Sequence, residues 1–284
     1  MIRFYSFRFN LIEPYLIQKS LFQEKIVKED IFIQLISDFA QKKKVSFVYR
    51  NLKYILFFTK VLNDQIYSIQ LAKEEKFKKN VEGIESVVEV QDLRMPFVYI
   101  LLDIKRQIVF IQDKTSVYNS VDIPKAKIES FFSDNLSIHN ISFFLKPIID
   151  KNEFWNEIET VDEIEKFDLR LNAPNLFNGR FKANVLVKEF HENYNITDFR
   201  IVLNNKLKQL KLLKKNLEDY IALASAGAGK YTVTTYRNGK KYILSSIDKI
   251  IKKNYDIERL EDIDEKTLER DLNQLDKLND DINK

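Results

Sequence analysis

Residues 220–244 read YIALASAGAGKYTVTTYRNGKKYIL, and Gly227-Ala228-Gly229-Lys230 at their centre invites comparison with a nucleotide-binding loop. Such a loop needs glycine, four residues, then Gly-Lys-Ser/Thr, set between a strand and the helix that follows. Counting back from Gly229 puts Ala224 where the first glycine belongs, and Tyr231 stands where the hydroxyl belongs. The order is reversed as well, because a helical run precedes the glycines and an alternating, strand-like run follows. A nucleotide pocket is therefore rejected here. The stretch reads instead as helix, glycine turn and hairpin. Gly227 or Gly229 provides a left-handed helix end, and Asn238-Gly239 between YTVTTYR and KKYIL is the signature of a type I′ turn.

Working outward, IRFYSFRFNLI at the start alternates like a strand, and the apolar spacing over 21–41 suits an amphipathic helix. SFVYR (46–50), KYILFFTKV (53–61) and QIYSIQLA (65–72) form a meander through Asn51-Leu52 and Asn63-Asp64. Residues 73–86 read as a loop or short helix, and FVYILLDI (97–104) and QIVFIQD (107–113) as strands. Pro124 opens a helix, where a ring without N–H costs nothing. Beyond it come strand 141–148, acidic helix 151–167, strand 167–173, helix 182–194, strand 198–205, a lysine-rich helix over 206–223, the hairpin, and a C-terminal acidic helix. The fold class is α+β. A mostly antiparallel N-terminal sheet with a packed helix occupies 1–137. A second α+β half, with the basic helix–hairpin and the acidic C-terminal helix, occupies 138–284.

The 284 residues contain no cysteine, which removes disulfides, thiol nucleophiles and cysteine-bound zinc and points to a reducing compartment. The N-terminus carries charges where a signal peptide is apolar, and no run of about 18 apolar residues occurs. A cytoplasmic protein without direct membrane insertion is expected. The net charge of +4 is unevenly spread. Residues 200–253 hold 13 Lys/Arg against 3 Asp/Glu, whereas 254–284 hold 5 against 11. That asymmetry bears on partners more than the total does.

The basic segment supplies the candidate site. Lys208, Lys211 and Lys215 share a face of the expected helix, with Leu203, Leu207, Leu210, Leu213 and Leu217 as its apolar stripe. Lys230 stands at the glycine turn, Arg237, Lys240 and Lys241 at the hairpin tip, and Lys249, Lys252 and Lys253 beyond it. Brought together, they suit a phosphate backbone, which rewards cations through counterion release without any reading of bases. Tyr231, Tyr236 and Tyr242 offer stacking, although strand alternation buries some of them. The plainer reading of the same lysines is a solvated surface.

Little argues for catalysis. His139 and His191 belong to no two-ligand spacing, no serine elbow or dinucleotide fingerprint occurs, and no cofactor or metal is implied. A metal-dependent nuclease or toxin would need carboxylates converging from strand ends, such as Asp103, Asp113 and Asp168. The acidic run around Glu157, Glu159, Asp162, Glu163 and Glu165 reads as a solvated helix face, and a protein-interaction module using such faces is a further alternative. The C-terminal stripe Leu268, Leu272, Leu275 and Ile282 is expected to pack on its own domain, with pairing to a second copy or electrostatic cover of the basic region as alternatives.

The order of YRNLKYILFFTK, LRMPFVYILLDIKRQIVFIQ, FDLRLNAPN, DFRIVLNNK and ASAGAGKYTVTTYRNGKKY resembles the RexA-type phage-exclusion proteins of lambdoid prophages and their relatives in bacterial phage defence. The likeness is one of pattern and spacing across most of the chain. It implies a cytoplasmic sensor or effector that binds duplex DNA with little sequence preference, acts as a homodimer and works with a membrane-protein effector encoded nearby. No catalytic residues come with it, and the lysines named above rest on local charge alone.

Overall fold

The alternation of IRFYSFRFNLI produces strand β1 (Ile2–Ile12), which is paired on both sides. The computed structural model of the chain describes residues 1–12, 27–62, 65–82, 86–172, 182–194 and 196–278. After β1 come α1 (Lys28–Lys42), β2 (Lys44–Tyr49), β3 (Leu52–Leu62), β4 (Ile66–Lys73), β5 (Glu75–Glu82), β6 (Val87–Arg94), β7 (Phe97–Asp103), β8 (Ile108–Gln112) and α2 (Asp122–Leu136). They are followed by β9 (Ser142–Pro147), α3 (Lys151–Ile158), β10 (Glu163–Asn172), α4 (Lys182–Tyr194), β11 (Asp198–Asn204) and α5 (Lys214–Leu223). The chain continues through β12 (Gly229–Arg237), β13 (Lys240–Ser245), β14 (Lys252–Tyr255) and α6 (Glu265–Lys277). The class is α+β.

An eight-stranded antiparallel sheet runs β14-β1-β8-β7-β4-β3-β2, with β9 beside β14 along the same edge of β1. Period-two alternation gives this sheet two apolar faces. Phe7, Phe9 and Leu11 look toward α1 and α2, where Phe32, Phe131, Phe132 and Phe143 close a core of stacked and edge-on rings. Ile2 and Phe4 look the other way, under Leu268, Leu272 and Leu275 of α6. The first sheet therefore draws on the chain from both sides of residue 137, since β9, β14 and α6 all join it. The leucine stripe of the acidic helix packs within the chain; Ile282 lies outside the described residues, as do 21–26 of the first expected helix and the Asn63-Asp64 turn.

A second, four-stranded sheet runs β11-β10-β12-β13. Phe167, Leu169, Leu171, Tyr231 and Val233 form its inner face against α3, α4 and α5. Three expected elements differ. The helix expected over 206–223 begins only at Lys214. Asn205 accepts from Leu207 N at 2.8 Å, Lys208 adopts φ +61°, and Lys208 and Leu210 exchange backbone hydrogen bonds with Ile164. That side-chain turn competes with helix formation, so Leu207 is left exposed and the lysines lose their common face. The acidic helix stops at Ile158, and the residues from Glu163 belong to β10. The segment expected as a loop at 73–86 forms β5 and pairs with β6 as a two-stranded ribbon.

The glycine turn joins the two sheets. Residues Ala224–Ala228 form one wide π-type turn after α5, all of them buried. Gly227 takes φ +94°, and a Cβ built on it would lie 2.4 Å from Arg8 Cβ. From β1, Arg8 Nε donates to Ala226 O at 2.7 Å and Asn10 Nδ2 donates to Gly227 O at 3.0 Å. Gly229 is extended and needs glycine for a different reason, because a Cβ would meet Arg170 O at 2.3 Å. In the type I′ hairpin turn, Asn238 and Gly239 both take positive φ, and open space surrounds Gly239. Gly239→Ala is therefore expected to cost about 1 kcal/mol, the left-handed backbone term alone. Gly227→Ala should cost clearly more, and comparison of urea midpoints checks the order.

Lys127 of α2 is buried with its Nζ 5.0–5.3 Å from the ring centroids of Tyr54, Tyr118 and Tyr49, donating to Ile123 O. Burial, helped by Lys73 and Arg50, pushes its pKa down to about 8. Only the charged form is penalised, so the penalty is complete below pH 8 and fades as pH rises toward the ordinary lysine value. The stability of the native protein relative to Lys127→Met is expected to rise between pH 8 and about 9.5, read by urea unfolding at each pH.

Candidate nucleic-acid interface

The outward-pointing residues of the second sheet line up across its strands. Cross-strand register places Arg200 of β11 opposite Arg170 of β10, and Arg170 opposite Lys230 of β12. Three cations thus form one row over three adjacent strands. The next row holds Val202, Asp168, Thr232 and Ser245, and the one after it Asn204, Lys166, Thr234 and Ile243. Like charges directly opposite one another destabilise a sheet, so this row stands against the local preference of the fold.

Carboxylates offset part of it. Asp168 takes both Arg200 nitrogens, with Nε at 2.8 Å, and lies 3.7 Å from Lys166 Nζ. The Arg200 hydrogen bond holds the Asp168 carboxyl below the usual carboxylate range. Arg170 reaches only Asp198, at 4.0 Å, and Lys230 makes no ion pair among the described residues. Across the seam between the sheets β9 contributes Lys146. Its pKa is pushed down to about 8, first by burial and then by Lys125, with Lys230 and Arg170 adding to the effect against Glu129. Arg170, Lys230 and Lys146 are the cations in excess.

The lysines expected to act together are dispersed. Lys208 lies over the Tyr236 ring at 3.8 Å and pairs with Glu163 at 3.6 Å. Lys241 pairs with Glu165 at 3.7 Å, and Glu165 also accepts from Tyr236 Oη at 2.6 Å. Lys249 is held by Glu157 at 2.7 Å, and Lys253 by Asp271 at 3.2 Å. Lys252 covers the Tyr5 ring at the edge of the first sheet. Lys211 precedes α5 and Lys215 sits in its first turn, on the side of the second sheet that carries the helices. Arg237 and Lys240 stay exposed at the hairpin tip, where Arg237 donates to Thr160. Of the ten, Lys230 alone belongs to the cation row. Tyr231 is buried against Phe154, Tyr236 is engaged by Glu165, and Tyr242 remains exposed.

Arg170, Arg200, Lys166 and Lys146 were not singled out from sequence. Alternation in DLRLN and DFRIVLN sends Arg170 and Arg200 outward, but only strand register makes them neighbours.

The carboxylates considered for a nuclease do not converge. Asp103 is buried and bound to Arg106 at 2.7 Å, Asp113 lies 3.6 Å from Arg3, and Asp168 is held by Arg200. No group of three metal-ligating side chains forms among the described residues. His191 Nδ1 lies 2.6 Å from Ile196 O, and His139 sits in a short turn after α2. No described helix is long and apolar enough to cross a membrane.

Asp168→Asn should free Arg200 and Lys166, so the variant is expected to elute from heparin at higher salt than the native protein. No protein-family model and no curated protein matches the chain.

Proposed function

We propose that this chain is a non-enzymatic protein that holds duplex DNA through its phosphate backbone without reading sequence. The observation that supports it most is the Arg200–Arg170–Lys230 row, a like-charge array on an open sheet face that a phosphate backbone would stabilise. Lys166 flanks the row, and Val202 and Ile243 leave apolar ground beside it. The surface differs from the one anticipated around residues 206–253, sharing only Lys230 with it. In line with the family resemblance, the protein acts in the cytoplasm as a sensor or effector of phage defence, as a homodimer and with a membrane-protein effector.

Two phosphates engaged by Arg170 and Lys230, with Arg200 held by Asp168, correspond to a log–log salt slope of about −1.8, or roughly 12-fold weaker binding between 50 and 200 mM salt. Fluorescence anisotropy with two duplexes of unrelated sequence is expected to give equal affinities and this slope. Lys230→Gln should lower the slope by about 1 for both duplexes. Combined charge reversal at Arg170, Arg200 and Lys230 should abolish binding, whereas reversal at Lys208, Lys211, Lys240 and Lys241 should matter less. Absence of binding to any duplex at 50 mM salt would sink the reading.

A further inference from the structure

Beside the Arg170–Lys230 pair the open sheet face sinks into a recess of about 220 Å³, bordered also by Thr232, Ser245 and Asp168. Its polar lining comes from β10, β12 and β13. Thr232 and Ser245 stand opposite each other on β12 and β13. Ser245 Oγ accepts from Ile247 N at 3.4 Å, which leaves its own proton to donate. The Asp168 carboxylate is already committed to Arg200 and Lys166. Two hydroxyl donors and two cations therefore border one recess, where Asp168 is committed to Arg200 and Lys166 and Asp198 lies 4.0 Å from Arg170.

The recess is smaller than the roughly 300–1,000 Å³ of pockets that take whole small molecules. A phosphate group fits within it. Lys146, set back on β9 beside β12, adds a third positive charge from the far side of the seam. A backbone diester brings one negative charge and must continue in both directions across the surface. A phosphomonoester brings about 1.5 to 2 charges at neutral pH and ends there.

We infer that this recess is a seat for a phosphomonoester, with Arg170 and Lys230 as its charge partners and Thr232 and Ser245 as its hydroxyl donors. Its macromolecular source, on the DNA-binding reading above, is the terminal phosphate of a cut or linear strand, which would let the protein tell DNA ends from closed DNA. Free phosphate is the other source of the same chemistry.

The test uses the full chain with three probes: a duplex carrying terminal phosphates, the same duplex with terminal hydroxyls, and a covalently closed circle. Inorganic phosphate, followed by calorimetry, is a fourth. The phosphorylated end is expected to bind about tenfold more tightly than the hydroxyl end, the yield of one hydrogen bond to a charged group. Inorganic phosphate should bind the protein and compete with the phosphorylated end. Thr232→Val, an isosteric change on an exposed strand position, should bring the ratio of the two affinities toward one. Lys146→Met should do the same while removing a half-buried charge that stands among other cations, so that folding is not at issue.

Binding to the circle with no preference among the ends and no phosphate uptake overturns this inference and leaves the DNA-binding reading intact. Phosphate uptake that weakens in Thr232→Val, without binding to any DNA, supports the seat and overturns that reading. Phosphate uptake unchanged in both variants places the anion elsewhere and overturns the assignment.

Discussion

The buried guanidinium of Arg8 is the contact on which the two halves depend. It sits in the middle of β1, with its side chain 3% exposed, and reaches three parts of the chain at once. Nε holds Ala226 O in the glycine turn, while Nη1 holds Arg106 O at 2.7 Å and Asp276 of α6 at 3.0 Å. Arg106 in turn binds Asp103, Glu269 and Asn273. Asp103 is pushed above the usual carboxylate range by burial, against the pull of Arg106. Taking a charge this far from water is costly unless each donor finds a partner. Its planar fork can engage partners in several directions at once, which a lysine ammonium does not match. Removing one partner of such a buried pair costs about 3–5 kcal/mol, because the other charge is stranded.

From that contact the geometry of the candidate interface follows. The glycine turn lies against β1 only because Gly227 has no side chain, and it delivers β12 directly onto β10. Gly229 then presses against the Arg170 carbonyl, and the next residue, Lys230, emerges beside Arg170. Ile149 N, donating to Ser225 O at 2.9 Å, ties the same turn to the end of β9, the strand that carries Lys146. The cations thus converge because three strands are pinned around one turn. Asp168 and Asp198 offset part of their mutual repulsion, and the packing of both sheets carries the rest.

Much of the fold was legible as period-two alternation, from IRFYSFRFNLI to QIVFIQD, and the hairpin at Asn238-Gly239 followed from turn chemistry alone. The failures have physical causes. Leucine and lysine spacing over 206–213 suggested a helix, but the Asn205 side chain captures the backbone first and β10 completes its hydrogen bonding. The charged run at 73–86 reads as a loop or short helix because neither face of the ribbon it forms is a core face, and cross-strand pairs such as Lys78–Glu89 line it instead. For the candidate site, counting lysines along the chain located the basic segment yet missed its partners. Glu157, Glu163 and Glu165 come back from an acidic stretch some 45–90 residues earlier to neutralise Lys208, Lys241 and Lys249.

The sequence by itself determined that no phosphate-cradling loop exists at Gly227-Ala228-Gly229-Lys230, since Ala224, Tyr231 and the helix-before-strand order all forbid it. It also determined the α+β class, the hairpin and the apolar stripe of the last helix, because these depend on local periodicity and turn residues. Tertiary structure alone decided which cations stand together. Register between β10, β11 and β12 sets Arg170 between Arg200 and Lys230, residues 30 and 60 positions away. Such pairing is fixed by strand order and by the burial of Arg8, neither of which has a local signature.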